Sequence, residues 1–296
     1  MFSIIKNYLF IAFFGGLSIL AMAFFVSALI YPTLPNISHL EKYRPKQPLQ
    51  IFSKEGILIA EFGEERRDFI AISDTPQQMI NAILSIEDRR FFEHPGIDFI
   101  GITRAAIKNI LGKSHEGAST ITMQVARNFF LTSEKTFKRK INEILLAIKI
   151  ERTLSKEEIL ELYVNQIYLG QRSFGFAAAA NTYFGKNLDQ LNLGETALLA
   201  GLPKAPSRYN PLVRPNLAIN RQQNVLNSML RHGYIDKPTY IIALEDPLSL
   251  KDKFMKSELQ ANYVAEMVRQ TLFEEFGDKI YTSGLKVFTT IKKKNQ

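Results

Sequence analysis

The 296-residue chain contains no cysteine, which excludes both a disulfide framework and a thiolate metal site. That absence is compatible with an oxidising compartment but does not place the chain in one. No internal repeat or low-complexity tract is present, and no charged residue occurs between positions 7 and 31. What is there looks globular: 46% of residues are hydrophobic and 22% charged, ample for a real core. The net charge of +8 and pI near 9.4 favour an anionic partner, which could be phosphate, nucleic acid or a membrane surface.

The uncharged stretch narrows that choice. Residues 9–30 are almost wholly apolar, and about 20 such residues span a bilayer as a helix. Tyr8 and Tyr31 stand where interfacial aromatics would. Lys6 and the amino terminus would hold the short leading end in the cytoplasm, with the rest of the chain outside. Val26-Ser27-Ala28 loosely resembles a signal-cleavage site, but the apolar run is long for a signal peptide and continues through it. The expectation is a cytoplasmic tail (1–7), a single-pass inner-membrane anchor (8–31) and a periplasmic or extracellular remainder. Nucleic acid is thereby set aside as a partner.

Residues 32–48 hold four prolines and read as a linker. Two short apolar runs, 49–52 and 57–62, flank Lys54-Glu55-Gly56 as a β-hairpin would. From Asp74 onward the pattern is helical. Thr75-Pro76 predicts an N-cap with proline at the first helical position, and Met79, Ile80, Ile83 and Leu84 mark one face, with Glu87 one step further along it. Ser155 to Glu158 forms a capping box ahead of a helix that Gly170 stops. Residues 176–183, 193–200 and 217–230 predict further helices, and 281–291 alternates like a strand.

The stretch 87–98, EDRRFFEHPGID, crowds acids, arginines, two phenylalanines and a histidine around a Pro-Gly turn. It predicts a site wall anchored by Phe91 and Phe92. Glu87, on an apolar face near a helix C-terminus, would have a pKa raised by desolvation and the helix dipole. Arg89, Arg90 and His94 would pull it back, which suits a general base; a plain Glu–Arg pair is the alternative. Residues 117–124, GASTITMQ, run from a small-residue loop into a helix that Ser119 or Thr120 can cap. Free N–H groups there would face an anion, although an ordinary N-cap reads the same way. Arg127, Lys135, Arg139 and Lys140 follow as cations, unless they are a solvated face. Glu143 lies between two apolar stripes, so it is either buried at a cleft or a structural partner of Arg139 or Lys140. Two carboxylates alone would suggest glycoside hydrolysis. The cations instead suit departure of a sugar from a diphosphate, where positive charge replaces the general acid.

Residues 87–98, 117–124, 139–143 (RKINE), 156–170 (KEEILELYVNQIYLG) and 221–226 (RQQNVL) resemble, in order, the five motifs of glycosyltransferase family 51, the peptidoglycan glycosyltransferases. The hairpin with FGEERR (62–67) and the tail GLKVFTTI resemble class A penicillin-binding proteins, especially the 1A type. In those a transpeptidase domain follows; here there is no Lys-Thr-Gly, so the chain resembles the glycosyltransferase portion alone. The division expected is a linker and hairpin over 32–64, a glycosyltransferase domain over 65–245, and over 246–296 the start of a link to that further region.

The resemblance implies a mainly α fold, two-lobed and lysozyme-like, that polymerises lipid II into β-1,4 glycan with release of undecaprenyl diphosphate. By motif position Glu87 would be the base on the acceptor 4-hydroxyl, and Glu143 would sit by the donor diphosphate, organising cations or a divalent metal (Mg or Mn). No organic cofactor is implied. Ser119, Thr120, Gln124, Arg127, Lys135 and Lys140 match donor-site positions, and Arg89 and His94 join the substrate-binding set. Asn165 and Tyr168 read as structural, and Gln222 stands where a second arginine is usual, leaving Arg221 alone. Partners implied are lipid II, the growing glycan strand, membrane lipid and other cell-wall synthesis proteins. The amphipathic stretch 99–111 is either a bilayer-surface helix or a core helix. The competing functions are a glycan-cleaving enzyme of lytic-transglycosylase type and an inactive membrane scaffold.

Overall fold

The computed structural model describes Phe10, residues 14–18, 21–22, Phe25, 28–40, Tyr43, 45–110, 119–132, Glu134, 136–251 and 261–295. The described residues from Phe10 to Ile30 are helical. The predicted anchor therefore falls partly outside the described residues, among which no helix is long and apolar enough to cross a membrane.

The fold is mainly α, as expected. Strands β1 (Leu49–Phe52), β2 (Leu58–Phe62) and β3 (Arg66–Arg67) precede helices α1 (Gln77–Glu87), α2 (Phe99–Ile110), α3 (Ile121–Phe130), α4 (Phe137–Glu151) and α5 (Lys156–Gln166). Strands β4 (Tyr168–Gly170) and β5 (Ser173–Phe174) lead to α6 (Phe176–Phe184), α7 (Leu193–Gly201), α8 (Pro215–Arg231) and α9 (Lys237–Glu245). Helix α10 (Asn262–Phe276) and strand β6 (Lys286–Phe288) follow.

The main core is helical. Helix α1 packs on α7 and α8, and α3 on α4 and α5, around Met79, Ile83, Phe91, Ile121, Leu146, Ile150, Tyr163 and Phe176, all fully buried. Each such apolar side chain contributes about 1.5–3 kcal/mol by leaving water. The capping box at Ser155 and Glu158 forms as predicted. Thr75 does not cap α1: its hydroxyl donates to the Ala71 carbonyl at 3.0 Å, and Pro76 occupies the cap position with no side-chain hydrogen bond.

The second core is small and sits on a sheet of order β2-β1-β6. The predicted hairpin is present, with Leu49 opposite Phe62 in antiparallel register and Gly56 at φ +82° in its turn. β6 pairs parallel to β1, placing Ile51 beside Val287, and α10 packs on this sheet through Ala265. Lys286–Phe288 thus join the hairpin as its third strand. The strand is also shorter than the predicted 281–291, running only from Lys286 to Phe288. A second sheet, β3-β5-β4, takes Tyr168–Gly170 out of the predicted helix, which ends at Gln166. Asn165 fastens it: its side chain accepts from Ile70 N and donates to Ile70 O, the structural role expected.

Candidate active site

The site wall is held from a distance in sequence, by Lys156 of α5. Phe91 is fully buried, with the Lys156 ammonium 4.4 Å from its ring centroid. That same ammonium donates to the His94 carbonyl at 2.7 Å and to Glu151 at 2.7 Å. The Pro95-Gly96 turn needs glycine: φ is +87°, and a Cβ there would lie 3.1 Å from the Ala147 carbonyl oxygen. Phe92, predicted as a second anchor, is instead 54% exposed, its ring lying edge-on to Phe91 with centroids 5.1 Å apart.

Asp88, passed over in the sequence, joins the wall to the next element. Its Oδ2 accepts from the Ile121 backbone N–H at 3.0 Å, and both its oxygens lie 3.0 Å from His94 Nε2. Thr120 caps α3, accepting from Met123 N at 3.2 Å and donating to the Gly96 carbonyl at 2.7 Å. Of the two readings of this helix start, the ordinary N-cap holds: the N–H groups of Ile121 and Met123 are committed within the protein. His94 is likewise not a cleft residue. It is buried, with Nε2 against Asp88, and it does not line the cleft.

These elements surround a cleft of about 610 Å³, lined by Glu87, Ser119, Thr120, Gln124, Arg127 and Arg89 among others. Glu87 ends α1 as predicted. Its Oε2 accepts from Gln124 Nε2 at 2.8 Å, and Arg221 Nη2 stands 3.7 Å from Oε1. Burial pushes the Glu87 carboxyl above the ordinary glutamate range, opposed by the Gln124 hydrogen bond and by Arg221, Arg127 and Lys204. The direction agrees with expectation, but the opposing groups differ. Arg90 is occupied by Glu93 at 2.7 Å and Asp98 at 3.0 Å, and His94 by Asp88. Tyr163 lies fully buried close by, and burial followed by the charge of Glu87 raises its phenol well above the usual range.

Arg221, left alone in its motif, and Lys204, which no sequence motif marked, both act on Glu87. Arg221 is fixed by donating from Nε to the Gly201 carbonyl at 2.9 Å. Gly201 permits that approach, since a Cβ there would meet Arg221 Cγ at 2.8 Å. Lys204 follows Pro203 on the cleft wall; the prolines around it signalled only a helix break. Gln222 turns away and donates to the Gly194 carbonyl at 3.1 Å.

The second acid, Glu143, is fully buried. Arg139 Nη1 reaches its Oε2 at 3.0 Å and Lys140 Nζ its Oε1 at 2.8 Å. Lys140 Nζ also donates to Ser119 Oγ at 2.9 Å, linking this ion cluster to the cleft lining. A divalent metal does not fit Glu143 as it stands, because each carboxylate oxygen already holds a cation. No group of three metal-ligating side chains occurs among the described residues. Lys135 lies outside the described residues.

Comparison with known proteins gives the family. The family profile described as Transglycosylase matches residues 55–230. Penicillin-binding protein 1A of Neisseria meningitidis serogroup A is 51% identical over 282 residues, covering 95% of this chain and 35% of that protein. The protein of the same description from Pseudomonas aeruginosa is 49% identical over 271 residues, 90% of this chain and 33% of the relative. The 2.6 Å crystal structure of penicillin-binding protein 1A from Haemophilus influenzae superposes with a TM-score of 0.50 at 36% identity, over 86% of this chain and 28% of that one. This chain thus spans about a third of the length of the relatives it matches. With the profile covering more than half of the chain, and a buried carboxylate at the head of a cationic cleft, the chain belongs to the transglycosylase family, the enzyme family of peptidoglycan glycosyltransferases that its five motifs resemble.

Proposed function

We propose that this chain polymerises lipid II into β-1,4 glycan with release of undecaprenyl diphosphate. The observation that carries this reading is the Glu87 carboxylate, its pKa raised by burial, held by Gln124 and facing a cleft rich in cations. In the proposed step Glu87 accepts the proton of the acceptor 4-hydroxyl as that oxygen bonds to the donor anomeric carbon. The carbon–oxygen bond to the diphosphate breaks with inversion, and its electron pair leaves on the diphosphate. Arg127, together with Lys140 and Ser119, would stabilise that charge, so no general acid is needed. Glu143 acts through Arg139 and Lys140, holding their side chains in place. A two-lobed, lysozyme-like arrangement would set the donor on one side of Glu87 and the acceptor on the other.

The same reading places the chain at a membrane surface. The helical residues before Thr33 would continue the anchor, with the catalytic part outside. Helix α2 exposes Phe99, Ile100 and Ile107 (67%, 62% and 54%), with Arg104 and Lys108 beside them. An apolar face edged with cations suits the bilayer interface better than the core role that the sequence left open. Labelled lipid II tests the proposal. Glu87→Gln should cut polymer formation by about 10²–10⁴-fold, the usual contribution of a general base. Full activity in that variant would remove Glu87 from the role.

A further inference from the structure

Arg221 stands beside Glu87 without closing on it. Its Nη2 lies 3.7 Å from Glu87 Oε1, beyond the roughly 2.7–2.9 Å of a charge-assisted hydrogen bond. Opposite charges that are both largely buried attract strongly at that spacing, so the gap has to be held open. Two groups do this. Arg221 Nε donates to the Gly201 carbonyl at 2.9 Å. Its guanidinium carbon lies over the ring of Tyr209, 5.8 Å from the centroid, within reach of a cation–π contact. Arg221 is buried and Tyr209 half-buried, so water screens this contact little.

Tyr209 is itself braced. Its N–H donates to the Ala205 carbonyl at 3.0 Å. The next residue, Asn210, is buried and holds the turn that follows. Its side chain accepts from the Leu212 N–H at 3.0 Å, and its carbonyl from the Arg214 N–H at 2.8 Å. The ring thus meets α8 from a fixed loop between Lys204 and the start of that helix. Arg208 also lies over the ring, at 5.9 Å, but it is exposed, and a solvated cation is drawn to a ring more weakly than a buried one.

We propose that Tyr209 is a positioning residue for the reaction: its ring draws the Arg221 guanidinium off Glu87 and sets the gap that leaves the carboxylate free to accept a proton. The inference rests on the reading of Glu87 as base. Gln124 already donates to Glu87 Oε2, so closure of Arg221 onto Oε1 would engage both oxygens. It would also stabilise the ionised form and so weaken the base. The other charged or titratable groups around Glu87 are Arg127 of α3, Lys204 beyond α7, Tyr163 of α5 and Asp88 on the adjoining turn. The test must therefore isolate what passes through Arg221.

The pH dependence of lipid II polymerisation by the whole chain reads this. In Tyr209→Met the guanidinium should close on Glu87. The acid limb of kcat/KM should then move to lower pH, and the plateau above it should fall by about five- to tenfold, the scale of one desolvated cation–π contact. Tyr209→Phe keeps the ring and should behave as wild type. Phenylalanine bearing ring fluorines at the same position keeps the shape, so the fold is preserved. The limb should move down stepwise as each fluorine weakens the negative face of the ring. In an Arg221→Met background, Tyr209→Met should not move the limb further. A limb at the wild-type pH in both Tyr209→Met and the fluorinated series would overturn the assignment. So would a limb moved to higher pH, or a shift that persists without Arg221. Failure of the base reading is a different result, polymerisation by Glu87→Gln at the wild-type rate.

Discussion

Replacing Gln124 with alanine isolates the one hydrogen bond that holds Glu87. The amide donates to the carboxylate at 2.8 Å inside a largely buried site. A hydrogen bond to a charged group is worth about 1.5–3 kcal/mol, and one pH unit corresponds to 1.36 kcal/mol. The bond favours the ionised form, so its loss should raise the Glu87 pKa further. A base must be deprotonated to act. The acid limb of the pH–rate profile should therefore move up by the same amount, with activity most depressed at low pH and recovering at high pH.

The assay is the initial rate of lipid II polymerisation from about pH 5 to about pH 9, fitted for the acid limb of kcat/KM. Wild type should already show that limb above the ordinary glutamate range, because burial raises the group. Two outcomes would refute the reasoning. One is a limb at the same pH in both proteins. The other is a rate lower by one constant factor at every pH, which would mean that Gln124 shapes the cleft and leaves the proton affinity of Glu87 alone.

Glu87→Gln should stabilise the fold, and increasingly so as pH rises. A carboxyl whose folded pKa lies above its unfolded value favours the native state only while protonated, and that stability is lost as pH rises through the folded pKa. Thermal unfolding should show equal Tm values near about pH 4 and a higher Tm for the variant at about pH 8; a constant offset would contradict the burial argument. Arg139→Met leaves the buried Glu143 with Lys140 alone and should cost about 2–3 kcal/mol in urea unfolding, somewhat less than full orphaning of a buried charge. Magnesium or manganese should not restore activity to Glu143→Gln, since both carboxylate oxygens hold protein cations; recovery would show a metal-linked role. Phe91→Ala should destabilise by about 3–5 kcal/mol, whereas Phe92→Ala, at an exposed position, should stay within about 0.5 kcal/mol.

Legibility of the fold in the sequence followed the range of the interaction involved. The capping box at Ser155 and the hairpin turn at Gly56 are made by residues next to one another, so the local pattern carries them. The pairing of β6 with β1 joins three residues near one end of the chain to strands near the other, and neither strand has a pattern that names its partner. Tyr168–Gly170 was lost for a related reason. An apolar rhythm running up to a glycine reads as a helix and its stop, whereas here β4 is a strand because β5 pairs with it.

The site divided in the same way. Glu87 was legible because Met79, Ile83 and Leu84 place it on a buried face, and Glu143 because apolar stripes lie on both its sides. The direction of a polar side chain was not. His94 and Arg90 stand close to Glu87 in sequence, yet both turn to nearer acids, Asp88 and Asp98. Lys204 and Arg221 reach Glu87 only because α7 and α8 pack on α1.

That rearrangement of partners bears on which reaction the cleft suits. Hydrolysis by two carboxyl groups needs both within reach of one glycosidic bond, one of them able to give a proton. Glu143 meets neither need: it is fully buried, it does not line the cleft, and each of its oxygens is held by a cation. Its contribution to the cleft is Lys140, held against Ser119. One carboxylate acting as base, and a second spent on positioning positive charge, fits departure of a diphosphate, which leaves without protonation. If hydrolysis were the reaction, freeing Glu143 by Lys140→Met should increase glycan cleavage. If transfer is the reaction, the same substitution removes leaving-group stabilisation and should lower polymer formation without any cleavage.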